Sequence, residues 1–438
     1  MHRLLVSVSV TTALITPSIY ANAKNEQEAK TENPMAQASV LPPESTSPLS
    51  DFSGKLKEQM IYTPKGIEPH DNISSLQTSL FLDYEHKFEN GFKIKMNARA
   101  YYDAIYTIKG SEKFTKKELD ELRSEIELFD AYIEGSITEN LDIKIGRQVV
   151  VWGRSDTLRV TDILNPLDNR RPGLQDIEYL RLPVTMAKLD YFVNNWRITP
   201  IAILEQRFSK NPPYGSAFYP VNFSVPEDED YSDVTYALSI GREFKGWDIN
   251  FYAAHVYDDE GYYVLYPKLA KLHEKVNMFG AAANILVGDW LFKTELAYFD
   301  GLKYTTVRDQ DFTRTDILLG IEYMGIDDTY ISYDIVNRNI GGYDKHLLNE
   351  LNPLHKHNYQ HAFRIKSDFI NATFHANYLI TAYGEKLDKG GFQRVWVEYD
   401  WNDALKTTIG IVDYIGDSPI METFKNNDMF FGDITYSF

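Results

Sequence analysis

The sequence predicts an all-β fold, a transmembrane antiparallel β-barrel of about 18 strands with short periplasmic turns and long extracellular loops. Three observations carry that expectation. Apolar and polar residues alternate with a period of two through most of the chain. The connectors between these alternating segments are short and long by turns. The chain ends on an amphipathic segment, with Phe430, Gly432, Ile434, Tyr436 and Phe438 on one side and Asp433, Thr435 and Ser437 on the other.

The elements follow in order. Met1-His2-Arg3 is a short basic start, Leu4 to Ile15 is almost wholly apolar, and Ala21-Asn22-Ala23 offers a small-residue cleavage site, so residues 1–23 are expected to be a signal peptide. Residues 24–50 are polar, contain proline and lack periodicity, as expected of a flexible lead-in. The barrel is assigned to residues 51–438, with a weak first strand near 52–62. Phe92 to Ala100 then places every apolar side chain on one face and every polar one on the other. The same dyad recurs in 129–134, 141–145, 196–199, 247–251, 372–378 and 395–399, and the last strand lies near 428–438. Short turns are expected at 89–91, 139–140, 194–195, 245–246, 288–289, 325–328 and 401–403. Longer polar connectors are expected at 107–124, 154–183, 206–231, 258–275, 301–313, 339–358 and 381–390. Phe92, Trp196, Trp247 and Trp290 fall where strands leave the turns, as an interfacial aromatic girdle requires.

Composition narrows the function classes. The chain holds 45 Lys plus Arg against 63 Asp plus Glu, a net charge of −18, which would repel a phosphate backbone, so no nucleic-acid partner is expected. The absence of cysteine rules out disulfides, thiolate metal sites and a thiol nucleophile. No stretch of the mature chain approaches the roughly 18 apolar residues of a membrane-crossing helix. With no helices to span the bilayer, only a closed barrel satisfies every backbone polar group.

Parity assigns a wet interior. Lys93, Lys95, Arg99 and Tyr101 are expected to face it from one strand, Asp130, Tyr132 and Glu134 from the next, and Lys144 from the one after. Arg197, Arg394 and Glu398 are expected to join them from other strands. Both signs of charge occur, so these residues either neutralise one another and stiffen the wall or face a passing solute as a mixed-charge surface.

The connector 154–183 is the least loop-like. It contains Arg154, Arg159, Asp162, Asn165, Asp168, Arg170, Arg171, Glu178 and Arg181. A connector this long with so many ionic residues is expected either to fold into the barrel mouth and constrict it or to pack over the rim. Here the chain resembles a family of proteobacterial outer-membrane barrels known only as a domain of unknown function. The matching features are Gly146-Arg147-Gln148, the Trp152-Gly153 pair, the run from Asp162 through Asn165-Pro166 to Asp168, and Glu178, Arg181 and Pro183. The Gly-Arg-Gln strand alone is also similar to that of alginate-export porins. The resemblance implies an outer-membrane barrel, one that handles hydrophobic or amphipathic compounds, with no settled activity attached.

Catalytic spacings such as Gly-x-Ser-x-Gly, His-Glu-x-x-His or a phosphate-binding loop are missing, so no enzyme activity and no cofactor are expected. His355, His357 and His361 cluster near one expected loop, and Asp344 lies beside His346, but neither has a strong metal-ligand spacing. The acidic runs 227–230 and 258–260 either bind divalent cations or are solvated. The reading is a channel for a small or amphipathic solute with a loop-constricted lumen. Its expected partners are outer-membrane lipid and lipopolysaccharide, and the outer-membrane assembly machinery through Phe438. The rivals are a polysaccharide export porin, a barrel-embedded lipid hydrolase and a non-conducting surface protein.

Overall fold

A computed structural model describes residues 51–226, 230–264 and 269–438. The expected signal peptide and polar lead-in therefore lie outside the described residues, as do positions 227–229 of one acidic run. The strands are β1 (Phe52–Thr63), β2 (Asn72–Lys87), β3 (Lys93–Asp103), β4 (Ser124–Thr138), β5 (Leu141–Gln148), β6 (Val184–Val193) and β7 (Trp196–Ile203). They continue as β8 (Thr235–Phe244), β9 (Trp247–Tyr257), β10 (Tyr262–Val264), β11 (Ala270–Leu272), β12 (Lys275–Val287), β13 (Trp290–Tyr304) and β14 (Val307–Ile326). The last are β15 (Thr329–Gly341), β16 (His357–Phe369), β17 (Phe374–Tyr383), β18 (Gly391–Asp400), β19 (Leu405–Ile415) and β20 (Met429–Ser437).

All but β10 and β11 belong to one sheet of 18 antiparallel strands. Each pairs with its sequence neighbour, β9 pairs with β12, and β20 pairs with β1 from Lys55↔Ser437 to Tyr62↔Phe430, which closes the cylinder. Closure leaves no edge with unpaired backbone groups, the condition for a sheet in hydrocarbon. The outer face is apolar: Ile126 is 87% exposed, and Leu80, Leu82, Phe251, Phe279, Leu296 and Leu319 are also exposed. The barrel thus presents an apolar outer surface.

Turns at one end are tight. Asn194 and Asn195 both take left-handed backbone angles (φ 49° and 66°), the geometry that suits a two-residue hairpin to twisted strands. Two connectors differ from expectation. The polar stretch 301–313 is not a loop: β13 and β14 run on and meet at Tyr304↔Val307. Arg308, Asp309 and Asp311 sit in that extension, where charge is tolerated because the hairpin reaches beyond the apolar band. Conversely, 370–373 is a tight turn without a glycine, built from Ile370, Asn371 and Ala372 at positive φ. Short helices α1 (Ile105–Ile108), α2 (Lys116–Glu118), α3 (Ile177–Leu180) and α4 (Pro419–Phe424) lie in connectors at the opposite end or within 149–183. Hairpin β10–β11 also lies in a connector, the one between β9 and β12.

Candidate functional site

The segment 149–183 reaches strands on every side of the cylinder. Arg171 bonds Ser75 of β2 and Asp103 of β3. Arg170 bonds Glu125 of β4, and Arg154 bonds Asp248 of β9. The Arg154 and Ser155 amides donate to Glu295 of β13, and the Ser155 and Thr157 hydroxyls to Asp334 of β15. Asp176 takes Arg364 of β16 and Arg394 of β18, and the Tyr414 hydroxyl of β19 donates to the Pro172 carbonyl. One segment can touch walls this far apart only from inside the barrel.

Local sequence explains the path. Gly146 (φ 128°) lets β5 approach β4, where an added Cβ would stand 2.2 Å from the Ala131 carbonyl oxygen. Gly153 (φ 89°) leaves the Glu295 carboxylate room that a Cβ would take, at 2.8 Å. Asn165 is fully buried: its Oδ1 accepts from the Val150 amide, and its Nδ2 donates to the carbonyls of Leu182 (2.8 Å) and Gln148 (3.3 Å). Arg159 donates to the Asp162 and Asn165 carbonyls, and Arg181 pairs with Asp162 at 2.9 Å. The run from Asp162 to Asp168 is therefore a self-bonded knot that ties both ends of the segment together.

Beneath it lies a third departure from expectation. The inner faces of β6–β9 and β12–β15 are not uniformly wet. Met186, Ile201, Ile203, Met278, Leu318 and Val336 are buried there against Trp152, Leu158, Val160 and Leu164 of the segment, and Trp152 stacks on Tyr252 at 4.7 Å. The segment thus covers an apolar patch on the inner wall, so strict inside-wet parity fails along this arc. Burial of this kind stabilises by about 25 cal/mol per Å² of apolar surface removed from water.

Beyond the knot the chain makes an excursion with joined ends, since the Asp168 amide donates to the Leu180 carbonyl at 2.7 Å. Residues 169–179 form this lobe. On one side Arg170, Asp168, Arg99, Glu125, Glu127, Arg207 and Lys210 make a charge network. Burial would lift the Asp168 carboxyl, but the hydrogen bonds and charge of Arg170, with Arg99 and Lys210 close by, hold it below the ordinary aspartate value. On the other side Leu174 is buried in a cluster with Trp396, Leu379 and Tyr414.

The residues expected at the lumen fall as follows. Lys93 pairs with Glu134 (2.8 Å) and Glu85 (3.7 Å), Lys95 with Asp83 (3.6 Å), and Lys144 with Glu134 (3.5 Å) while its amine sits over the Tyr132 ring. Asp130 accepts from Asn97. Arg99 pairs with Glu127 and Asp168, and the Tyr101 hydroxyl donates to the Glu121 carbonyl. Arg197 is exposed beside the 194–195 turn, on the parity of the inner-facing Thr199 and Ile201. Arg394 meets the lobe, and Glu398, on the same strand face, pairs with Lys406. Glu178 is exposed on α3 and is not part of the anchoring network. Of the histidines, His361 contacts the Tyr333 hydroxyl and the Gly384 carbonyl, and Asp344 caps a helical turn at His346.

Sequence parity missed Glu125 and Glu127. A bulge between Ala131 and Leu128 shifts the β3–β4 register, so the inner face runs 125, 127 and then 130, 132, 134. The run Ser124-Glu125-Ile126-Glu127-Leu128 alternates in the opposite phase to Asp130–Glu134, which was the available signal. Asp176 had none, because it lies in an aperiodic stretch.

Two spaces are present, one against the lobe and one lined by wall strands and the 327–328 turn alone. An outer one of 2040 Å³ is lined by long connectors, among them Lys117, Pro213, Tyr219 and Leu351, and by Arg170 of the lobe. An inner one of 640 Å³ is lined by Asp327, Tyr330, Lys366, His375, Asn377, Glu398 and Lys406.

The profile of the family described as "Protein of unknown function (DUF1302)" matches residues 68–438. The chain belongs to the DUF1302 family. No curated protein matches this DUF1302 chain. Among solved structures it is similar to Pseudomonas aeruginosa OpdK, crystallised with vanillate (TM-score 0.53, 9% identity, 88% of this chain and 98% of that one). It is also similar to Acinetobacter baumannii OccAB3 (TM-score 0.53, 12% identity, 89% and 99% covered) and P. aeruginosa OccK8 (TM-score 0.51, 11% identity, 88% and 97% covered). At such identities the likeness is one of fold. This DUF1302 member is a closed 18-strand antiparallel β-barrel, the fold it shares with those outer-membrane proteins.

Proposed function

We propose that the chain is an outer-membrane channel that passes a small or amphipathic solute, with segment 149–183 as its constriction. The observation that carries this reading is the lobe 169–179, anchored to the inner wall on both sides, with a water-accessible space of 2040 Å³ against its Arg170 and Pro172. Selection then comes from the width beside the lobe and from the mixed charge of the wall at Lys93, Lys95, Tyr132, Glu134 and Lys144. Paired acids along that wall disfavour the rival reading of a polyanion exporter. Reading the protein as a closed, non-conducting barrel draws on the same lobe, if the lobe never moves.

Because residues 168 and 180 are already hydrogen-bonded neighbours, 170–178 can be replaced by a short glycine turn without cutting the apolar cluster beneath. In planar bilayers the shortened protein is expected to conduct several-fold more than the wild type. Equal conductance would reject the lobe as the constriction, and silence of both proteins would reject the channel.

A further inference from the structure

Arg364 on β16 and Arg394 on β18 are both in register with Leu379 of β17. They therefore stand at one height on the inner wall, about 10 Å apart at the backbone, with buried Leu379 between them. Their side chains are only 4% and 3% exposed. Each gives its Nη2 to a different oxygen of Asp176, and each keeps a buried Nε without a hydrogen-bond partner. Among the described residues Asp176 is the only carboxylate paired with either one. It comes from the lobe and not from the wall. No wall carboxylate is within ion-pair distance of either arginine, Glu398 of β18 acting on Arg394 only through space, and two buried guanidinium groups so placed are costly unless an anion sits between them.

Resting on the channel reading above, we propose that Arg364 and Arg394 form a binding site for a solute carboxylate, and that Asp176 occupies the site as a built-in stand-in. One oxygen per guanidinium is the arrangement a carboxylate needs, and the fork of each arginine favours it over a point cation. The surroundings fit an apolar body attached to that group. The Arg394 guanidinium lies 3.9 Å from the centre of the Trp396 ring, and Leu379 and Leu174 belong to the same buried cluster. A solute carboxylate that takes the two arginines releases Asp176, and with it the lobe's ionic hold on this side of the wall. The favoured solute class is thus an amphipathic carboxylate.

The test is calorimetric titration of the purified barrel with sodium benzoate, with benzamide as the neutral isostere. Asp176→Asn removes the competing charge and is expected to tighten benzoate binding roughly tenfold while leaving benzamide unchanged. R394Q added to D176N is expected to abolish the benzoate signal. Equal benzoate affinity in wild type and D176N, or parallel changes for benzamide, would overturn the site. Should D176N not migrate as a folded, heat-modifiable barrel, R364K in the wild-type chain carries the test, since it keeps the charge, loses the fork and must weaken benzoate binding alone. Bilayer recording separates the two proposals. A conducting protein with flat benzoate titrations removes the site and keeps the channel, whereas a silent protein with the expected titrations removes the channel and keeps the site.

Discussion

At the scale of single residues, the lumenal segment depends on a glycine that nothing larger can replace. Gly153 adopts a left-handed backbone angle, and the Glu295 carboxylate that accepts three amides and a hydroxyl from the segment stands where its Cβ would project. Gly153→Ala combines an unfavourable φ with a displaced acceptor, so about 1–3 kcal/mol of local stability should be lost. Faster amide exchange is expected in 150–162, with the barrel's heat-modifiable gel shift retained. Unchanged exchange there would mean that the Glu295 contacts do not hold the segment. The Trp-Gly pair was legible as a motif before its partner was known. The pairing of Glu295 with that motif was not legible, because pairing across the lumen leaves no trace in local periodicity.

At the scale of elements, β-strands declare themselves and the lobe does not. Strand positions emerge from alternation because lipid and water impose opposite demands on successive side chains. The exceptions have physical causes. β13 and β14 continue past the apolar outer band into a charged stretch, Arg308 to Asp311, where alternation no longer marks them. The 370–373 turn lacks the glycine that marks such turns and uses Ile370 and Ala372 at positive φ instead. The inner arc from β6 to β15 looks like a misplaced outer face until the segment that covers it is known. The lobe is held by ion pairs, so its docking follows pH. Asp168 titrates below its unfolded value when folded, so its contribution is complete above the ordinary aspartate range, near pH 4, and is lost as pH falls through the lower folded value. Single-channel conductance is therefore expected to stay constant from pH 7 to about 5 and to rise only below about pH 4. A transition centred near pH 6 would assign control to a histidine instead.

At the scale of the whole molecule, the cylinder closes only where the first and last strands pair. The seam runs from Lys55↔Ser437 to Tyr62↔Phe430, and one further step holds the terminus, where Gly54 and Phe438 exchange backbone hydrogen bonds of 2.8 and 2.9 Å. Gly54 is also where the Phe438 ring rests, because a Cβ there would come within 2.5 Å of it. The alternation of the last strand was legible, while the seat of Phe438 on Gly54 was not, since the two residues are at opposite ends of the barrel sequence. These contacts seat the Phe438 ring on the seam, and closure of the seam is separable by experiment from the assembly role expected from the sequence. Phe438→Ala keeps the backbone bonds and removes the ring. If the ring serves assembly, the folded, heat-modifiable fraction recovered from outer membranes should fall several-fold, while the molecules that do fold conduct as the wild type does. If instead the ring serves closure, the folded fraction should be recovered in full and melt at a lower temperature. Gly54→Ala crowds the ring without deleting it, and should reproduce the second result only.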